Sequence, residues 1–330
     1  MTSRRAATLR ALFGVLVLLV FVGCLIGILI TGPIVVTQTH LELELDVSEQ
    51  RLRADVERLT AGNNLTLVSG WIADQFRLGG LETGFHSVET ADGPRRNVIG
   101  LRRGSDPDAP AVIVAAHYDQ QGADHNASGV AVLLETLRTL PVGTPRFDQY
   151  FVAIADAESL AQTFYEQGVD ATLMMSLDAV GYFTDEPKSQ RFPFVVMRWL
   201  YPDAGNFLMV VSTPEHGLAI RRVKQGMLAT RSIPIHSFRA PVWAADVDQS
   251  AHRAFWKYDV PAVMITDGAH YRNPHIDTDN DRPETLNYEA MAQVVTALHG
   301  ALWNNGGAPS QLPADNTGAT PTTTDPTGND

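Results

Sequence analysis

Residues 115–130 read AAHYDQQGADHNASGV. They join two apolar patterns. The stretch AVIVAAHY, from 111 to 118, is a continuous apolar run of the kind that forms a strand buried on both faces, and ASGVAVLLETLRTL has the spacing of a helix. Between them the chain carries His117, Asp119 and Asp124 among small residues, at a strand-to-helix corner. In open parallel sheets ligands gather at the carboxyl edge of the strands, which is where this corner lies. The stretch is therefore either a metal site or a polar connection, and the rest of the chain has to decide.

The same alternation continues on both sides. NVIGLRR, QYFVAIAD, ATLMMSLD, FLMVVS and PAVMITD are predicted strands. VSEQRLRADVERLT, TLVSGWIADQFRLGGL, PEHGLAIRRVKQGMLAT, QSAHRAFWKY and TLNYEAMAQVVTALHGALW are predicted helices. The order implies an α/β domain with a mainly parallel, largely doubly wound central sheet flanked by helices. Further chelating residues follow the predicted strands: Glu158 after QYFVAIADA, Asp178 at the end of ATLMMSLD, and Asp277 in a loop beyond PAVMITD. Hard oxygen and imidazole donors converging on one sheet edge make a nest for a zinc-like ion. Each also has an ordinary reading: Asp119 as a turn residue, Asp124 as an N-cap and Glu158 as a solvated loop carboxylate.

The chain has 330 residues, 45% hydrophobic and 19% charged, with a formal charge of −12. That supports one large or two modest domains. The acidic balance, without a long Lys/Arg cluster, argues against a nucleic-acid partner. Residues 11–30, ALFGVLVLLVFVGCLIGILI, carry no charge, enough for a helix to cross about 30 Å of hydrocarbon. Apolar residues continue to Val36 without a small-x-small cleavage site, so residues 11–36 are expected to be an uncleaved membrane anchor rather than a signal peptide. Arg4, Arg5 and Arg10 precede it and HLELELDVSEQ follows, which keeps residues 1–10 in the cytoplasm and the main domain extracytoplasmic. Cys24, the only cysteine, lies inside the anchor and forms no internal disulfide. Residues 37–303 form the domain, and residues 304–330, rich in Pro, Gly, Thr and Asn, are expected to be disordered.

Three stretches then combine. AHYDQQGADHNASGV resembles the His-x-Asp strand end and Gly-Ala-Asp-Asp-Asn-x-Ser-Gly signature of the zinc-dependent exopeptidases, a group that includes bacterial leucyl aminopeptidases, glutamate carboxypeptidase and the glutaminyl cyclases. MMSLDAVGY is similar to their acidic strand end before Gly-Tyr, and TDGAHYRNPHIDTDNDRPETLNYEAMAQVV to their closing segment. The likeness runs from about Leu52 to Trp303 and follows the family's order. It implies the phosphorylase/hydrolase-like fold of those enzymes, two zinc ions sharing one aspartate, and a glutamate acting as general base on the bridging water. Carried over by motif, His117 is an imidazole ligand, Asp124 the bridge and Asp178 the carboxylate of the same ion, with Asp119 orienting His117 from behind.

The sequence also departs from that pattern. Laid without a gap on the family's Phe-x-Ala-x-x-x-Glu-Glu, FVAIADAE puts Ala157 on the base and Glu158 on the ligand of the second ion. A one-residue shift would instead make Glu158 the base and Ser159 a lost ligand. Asp277 stands where the family has its second histidine, His275 keeps the first, and His125 replaces the acid after the bridge. The resemblance thus implies an aminopeptidase-like hydrolase of peptides holding one or two zinc ions, its general base lost at Ala157, and residues 11–36 are expected to anchor it in the membrane. The alternative is an inactive relative that binds metal or peptide. Cyclisation of N-terminal glutamine ranks last, because Asp277 replaces a histidine that the cyclases keep.

Overall fold

In the computed structural model, residues 13–306 are described apart from 19, 20, 24, 26, 28, 36–39, 63, 91, 92 and 244–246. Eight strands, β1 (Glu82–Thr90), β2 (Gly93–Arg102), β3 (Ala111–His117), β4 (Gln149–Ile154), β5 (Ala171–Leu177), β6 (Leu208–Ser212), β7 (Ile235–Arg239) and β8 (Ala262–Thr266), form one sheet. Its order is β1-β2-β4-β3-β5-β8-β6-β7. The helices are α1 (Glu49–Ala61), α2 (Leu65–Leu78), α3 (Gly129–Arg138), α4 (Ala157–Glu166), α5 (Gly217–Thr230), α6 (His252–Trp256) and α7 (Tyr288–Gly306).

The continuous apolar runs are explained by burial on both faces. Along β3, Val112, Val114 and Ala116 join one core while Ile113 and Ala115 join another. β4 and β5 divide in the same way: Phe151, Ala153, Leu173 and Met175 face the first core, and Val152, Ile154 and Met174 the second. Because the side-chain period of a strand is two, neither face can be polar when both are covered. The first core lies under α1, α2, α3, α5 and α7, and the second under α4 and α6.

The sheet is mixed. The pairs β3-β4, β3-β5, β5-β8 and β6-β7 are parallel, whereas β1-β2, β2-β4 and β6-β8 are antiparallel. The expected α/β sheet flanked by helices is present, with its parallel character confined mainly to the centre. β1, β7 and α4 were not among the predicted elements. α1 is clamped to α3 by a buried carboxylate: Glu135 accepts from Arg51 Nε at 3.1 and 3.0 Å and from the Ser48 backbone N–H at 2.7 Å.

At the N-terminus, the described residues 13–18, 21–23, 25, 27 and 29–31 are helical, with Phe13, Leu16, Leu18 and Phe21 exposed. Among the described residues no helix is long and apolar enough to cross a membrane. Parts of the expected span, including Cys24 and Val36, lie outside them, as does the expected tail from residue 307 onward. α7 carries the domain on to Gly306, three residues past the expected boundary.

Candidate metal centre

Parallel pairing sets the first two residues of the site. Ala116 of β3 is in register with Leu177 of β5, so His117 and Asp178, next along each chain, leave the sheet side by side. His117 Nε2 lies 3.4 Å from Asp178 Oδ1. The third residue comes from the turn after β3, where residues Ala123–Ser128 wind as a π-helix. His125 of that turn faces the pair, its ring 5.6 Å from that of His117 and edge-on to it.

His117, His125 and Asp178 each offer a ligand atom, all within 4.8 Å of one another. Zinc bonds of about 2.0–2.2 Å in a tetrahedron separate neighbouring donors by roughly 3.4 Å. The His117–Asp178 spacing has that value, and two imidazoles with a carboxylate are a donor set suited to zinc. The residues present therefore fit one zinc-class ion. Burial alone would depress the His117 pKa, but the charge and hydrogen bond of Asp178, with Asp119, raise it on balance. Burial would raise that of Asp178, and His117 and then His125 bring it below the usual carboxylate range. The two groups thus favour an imidazolium paired with a carboxylate, and a bound cation would displace the imidazolium proton.

Asp124 is not in this cluster. It is fully buried, its Oδ1 accepting from the Gly181 backbone N–H at 2.9 Å and its Oδ2 from Asn273 Nδ2 at 2.8 Å. Burial pushes its pKa up to about 6 despite those hydrogen bonds. Its role here is to tie the π-turn to the loops after β5 and β8. Asp281 completes the turn by accepting the backbone N–H groups of Asp124 at 2.9 Å and His125 at 3.1 Å. Gly122, at φ +111°, passes so close to Asp281 that a Cβ would collide with its carboxylate.

Glu158 is likewise elsewhere. The side chain of Asp156 accepts from the Ser159 backbone N–H at 2.9 Å and so starts α4 at Ala157. Asn97 fixes the same corner, its Oδ1 accepting from the backbone N–H groups of Ala155 at 2.7 Å and Asp156 at 2.9 Å. Glu158 then lies on the first helical turn, where its carboxylate pairs with Lys257 and, at 3.5 Å, with Arg253. The structure does not bring it to His117, either as ligand or as base, and Ala157 offers no carboxylate.

Asp277 does reach the site, but through His125, whose Nδ1 is 2.6 Å from its Oδ1. A carboxylate on the second nitrogen of an imidazole orients it toward an ion. Asp277 holds a left-handed φ of +59°, which Asp tolerates better than most residues. Asp119 takes a longer contact with His117, Oδ1 to Nδ1 at 3.8 Å, while its Oδ2 accepts from Arg95 at 2.5 Å. Nδ1 of His117 is buried without a hydrogen bond.

The sequence reading missed the supporting floor. Asp267 accepts from the backbone N–H groups of Tyr182 and Ala269, both at 2.8 Å, and burial with Asp124 nearby pushes its pKa well up. Arg272 donates from Nε to Gln190 at 2.8 Å and lies over the Phe207 ring at 4.7 Å. Also missed was the pocket beside the cluster, about 290 Å³, whose lining includes His125, Asp178 and Asp277 together with Met197, Met209, Phe238 and Met264. The last four come from β6, β7, β8 and the loop before β6, so only the folded sheet assembles the wall.

The comparisons with known proteins agree with this architecture. The uncharacterized protein YfbL of Escherichia coli (strain K12) is 34% identical over 285 residues, covering 79% of this chain and 88% of its own. The aminopeptidase LapA of Legionella pneumophila superposes with a TM-score of 0.64 at 17% identity, over 80% of this chain and 73% of its own. BSAP, a zinc aminopeptidase from Bacillus subtilis, does so at 0.62 and 12% identity, over 79% and 96%. Those two likenesses concern the fold. The model of peptidase family M28 matches residues 97–301, which include both strand ends, the π-turn and the closing loop, and the chain belongs to that family.

Proposed function

We propose that the protein is a membrane-anchored, extracytoplasmic, zinc-dependent aminopeptidase-like hydrolase of peptides, working from a single-ion site of His117, His125 and Asp178. The observation that carries this reading is the convergence of those donors, two of which, His125 and Asp178, line a pocket that also presents apolar side chains. Membership of a peptidase family supports a peptide substrate. The apolar residues 11–36, with arginines before and acids after, support the anchor and its orientation.

When bound, zinc would polarise a carbonyl and lower the pKa of a water toward about 7. The chain's own residues supply the rest. Asp277 accepts the Nδ1 proton of His125 and so holds the ring's direction, and Asp178 offsets cationic charge. The neighbouring pocket, with Met197, Met209, Phe238 and Met264 in its lining, offers apolar contact to a substrate side chain. No carboxylate stands at position 157, and a positioned general base contributes about 10²–10⁴-fold, so slow turnover is expected.

A second reading, a peptide-binding member without turnover, is favoured by the same absence at Ala157 and by the engagement of Glu158 with Lys257 and Arg253. Hydrolysis of aminoacyl chromogenic substrates by zinc-loaded protein separates the two. The hydrolase reading expects slow, chelator-sensitive turnover that His125→Ala abolishes. Bound zinc with no turnover until Ala157→Glu is introduced would establish the binding module instead.

A further inference from the structure

The face on which the N-terminal helix ends carries apolar side chains that the fold leaves uncovered. Thr31 and Leu29 are held there by their carbonyls: Ser237 Oγ donates to Thr31 at 2.8 Å, and Arg239 Nε donates to Leu29. Ile30 packs on the apolar cluster of Met197, Tyr201 and Phe238, and a Cβ on Gly27 would touch Leu200 at 3.4 Å. Two loops hang from this cluster and point outward. The 3-10 turn Val195–Trp199 exposes Val195 (72%) and Trp199 (82%), and the loop after β7 exposes Val242 (49%) and Trp243 (87%).

Two tryptophans that are almost bare in an aqueous domain need an explanation, because burying such a ring removes a large apolar area from water. Their setting supplies one. The exposed apolar helix of Phe13, Leu16 and Phe21 runs into the same face. Between Glu186 and Asp203 the chain carries Lys188, Arg191 and Arg198 and no acid, in a protein of formal charge −12. Trp199, flanked by cationic residues beside an apolar helix, has the composition of a membrane interface, where indole sits at headgroup level and Arg and Lys meet lipid phosphates; Trp243, with Arg239 before it and Asp246 and Asp248 after it, joins through its exposed ring alone.

We infer that the Val195–Trp199 turn and the Val242–Trp243 loop insert into the bilayer interface, with Trp199 and Trp243 as the anchoring rings and phospholipid as the partner. This inference rests on the proposed anchor and goes beyond it, since it adds side chains of the domain itself to the residues that contact lipid. Met197 of the same turn lines the pocket beside the metal cluster, so lipid contact of the turn would bear on one wall of that pocket.

The test uses the full chain reconstituted in vesicles of phosphatidylcholine and phosphatidylglycerol with brominated acyl chains. The five tryptophans are Trp71, Trp199, Trp243, Trp256 and Trp303, so none lies in the N-terminal helix and fluorescence reports on the domain. Bromolipid should quench wild-type emission, and most of that quenching should vanish in the Trp199→Phe/Trp243→Phe variant, whose exposed substitutions leave the fold intact. Vesicle flotation with no quenching, or quenching that survives the double substitution, overturns the inference while the anchor stands. A chain that fails to float with the vesicles removes the anchor and the inference with it.

Discussion

At the scale of single residues, the site turns on which of two neighbours faces the sheet edge. Asp124 and His125 are adjacent, and the motif reading gave the metal to Asp124. A π-helix winds more slowly than an α-helix, so the residue presented to His117 and Asp178 depends on the turn type, which the local sequence does not announce. His117 and Asp178 were legible because they end apolar strands, and strand ends are marked in sequence. Asp124→Asn should lower stability by about 1–3 kcal/mol, because an amide nitrogen would face the donor on Gly181 or on Asn273. It should leave zinc binding in place. Urea unfolding with metal analysis of the same variant checks both halves, and loss of the metal would return Asp124 to the ligand set.

Among the elements, the ones with long apolar patterns were readable and the short or edge ones were not. ETGFHSVET of β1 and IHSFR of β7 mix polar and apolar residues because each is an edge strand, covered less than the centre. α4 was overlooked although Asp156 caps it and Leu160, Ala161 and Phe164 recur at helical spacing on its buried face. Glu158 was given to the metal by motif register, whereas the helix start at Ala157 places it on the first turn beside Lys257 and Arg253. The α1–α3 clamp makes a measurable claim: Glu135→Ala should cost about 3 kcal/mol by urea unfolding, the lower end for a broken buried ion pair, since Arg51 can turn to water. In α7, His299 is buried against Thr139 and its pKa is depressed to about 4, mainly by burial and further by Arg102. The unfolded chain, with a pKa near 6.5, binds the proton more readily. Its contribution is therefore complete above about pH 6.5 and is lost as pH falls toward 4, by at most about 3 kcal/mol. His299→Gln should flatten that part of the stability profile, and an unchanged profile would remove His299 as its source.

For the whole molecule, the α/β class and the edge that carries the site followed from alternation and from donors at strand ends. The pocket did not, because its wall is assembled from residues between Phe192 and Ile276 that meet only when β6, β7 and β8 pair. An ion held by residues of β3, the π-turn and the β5 end couples the sheet to the closing loop through His125 and Asp277. Zinc should thus stabilise the native state, by about 2.7 kcal/mol at a hundredfold excess over Kd, a shift of roughly 5–10 °C in Tm. Stoichiometry is the sharper readout. Zinc titration of the purified full chain, followed by calorimetry and elemental analysis, should give one equivalent that His125→Ala and Asp178→Ala each abolish and Glu158→Ala leaves unchanged. Two equivalents, or one that survives His125→Ala, would contradict a centre built on His117, His125 and Asp178.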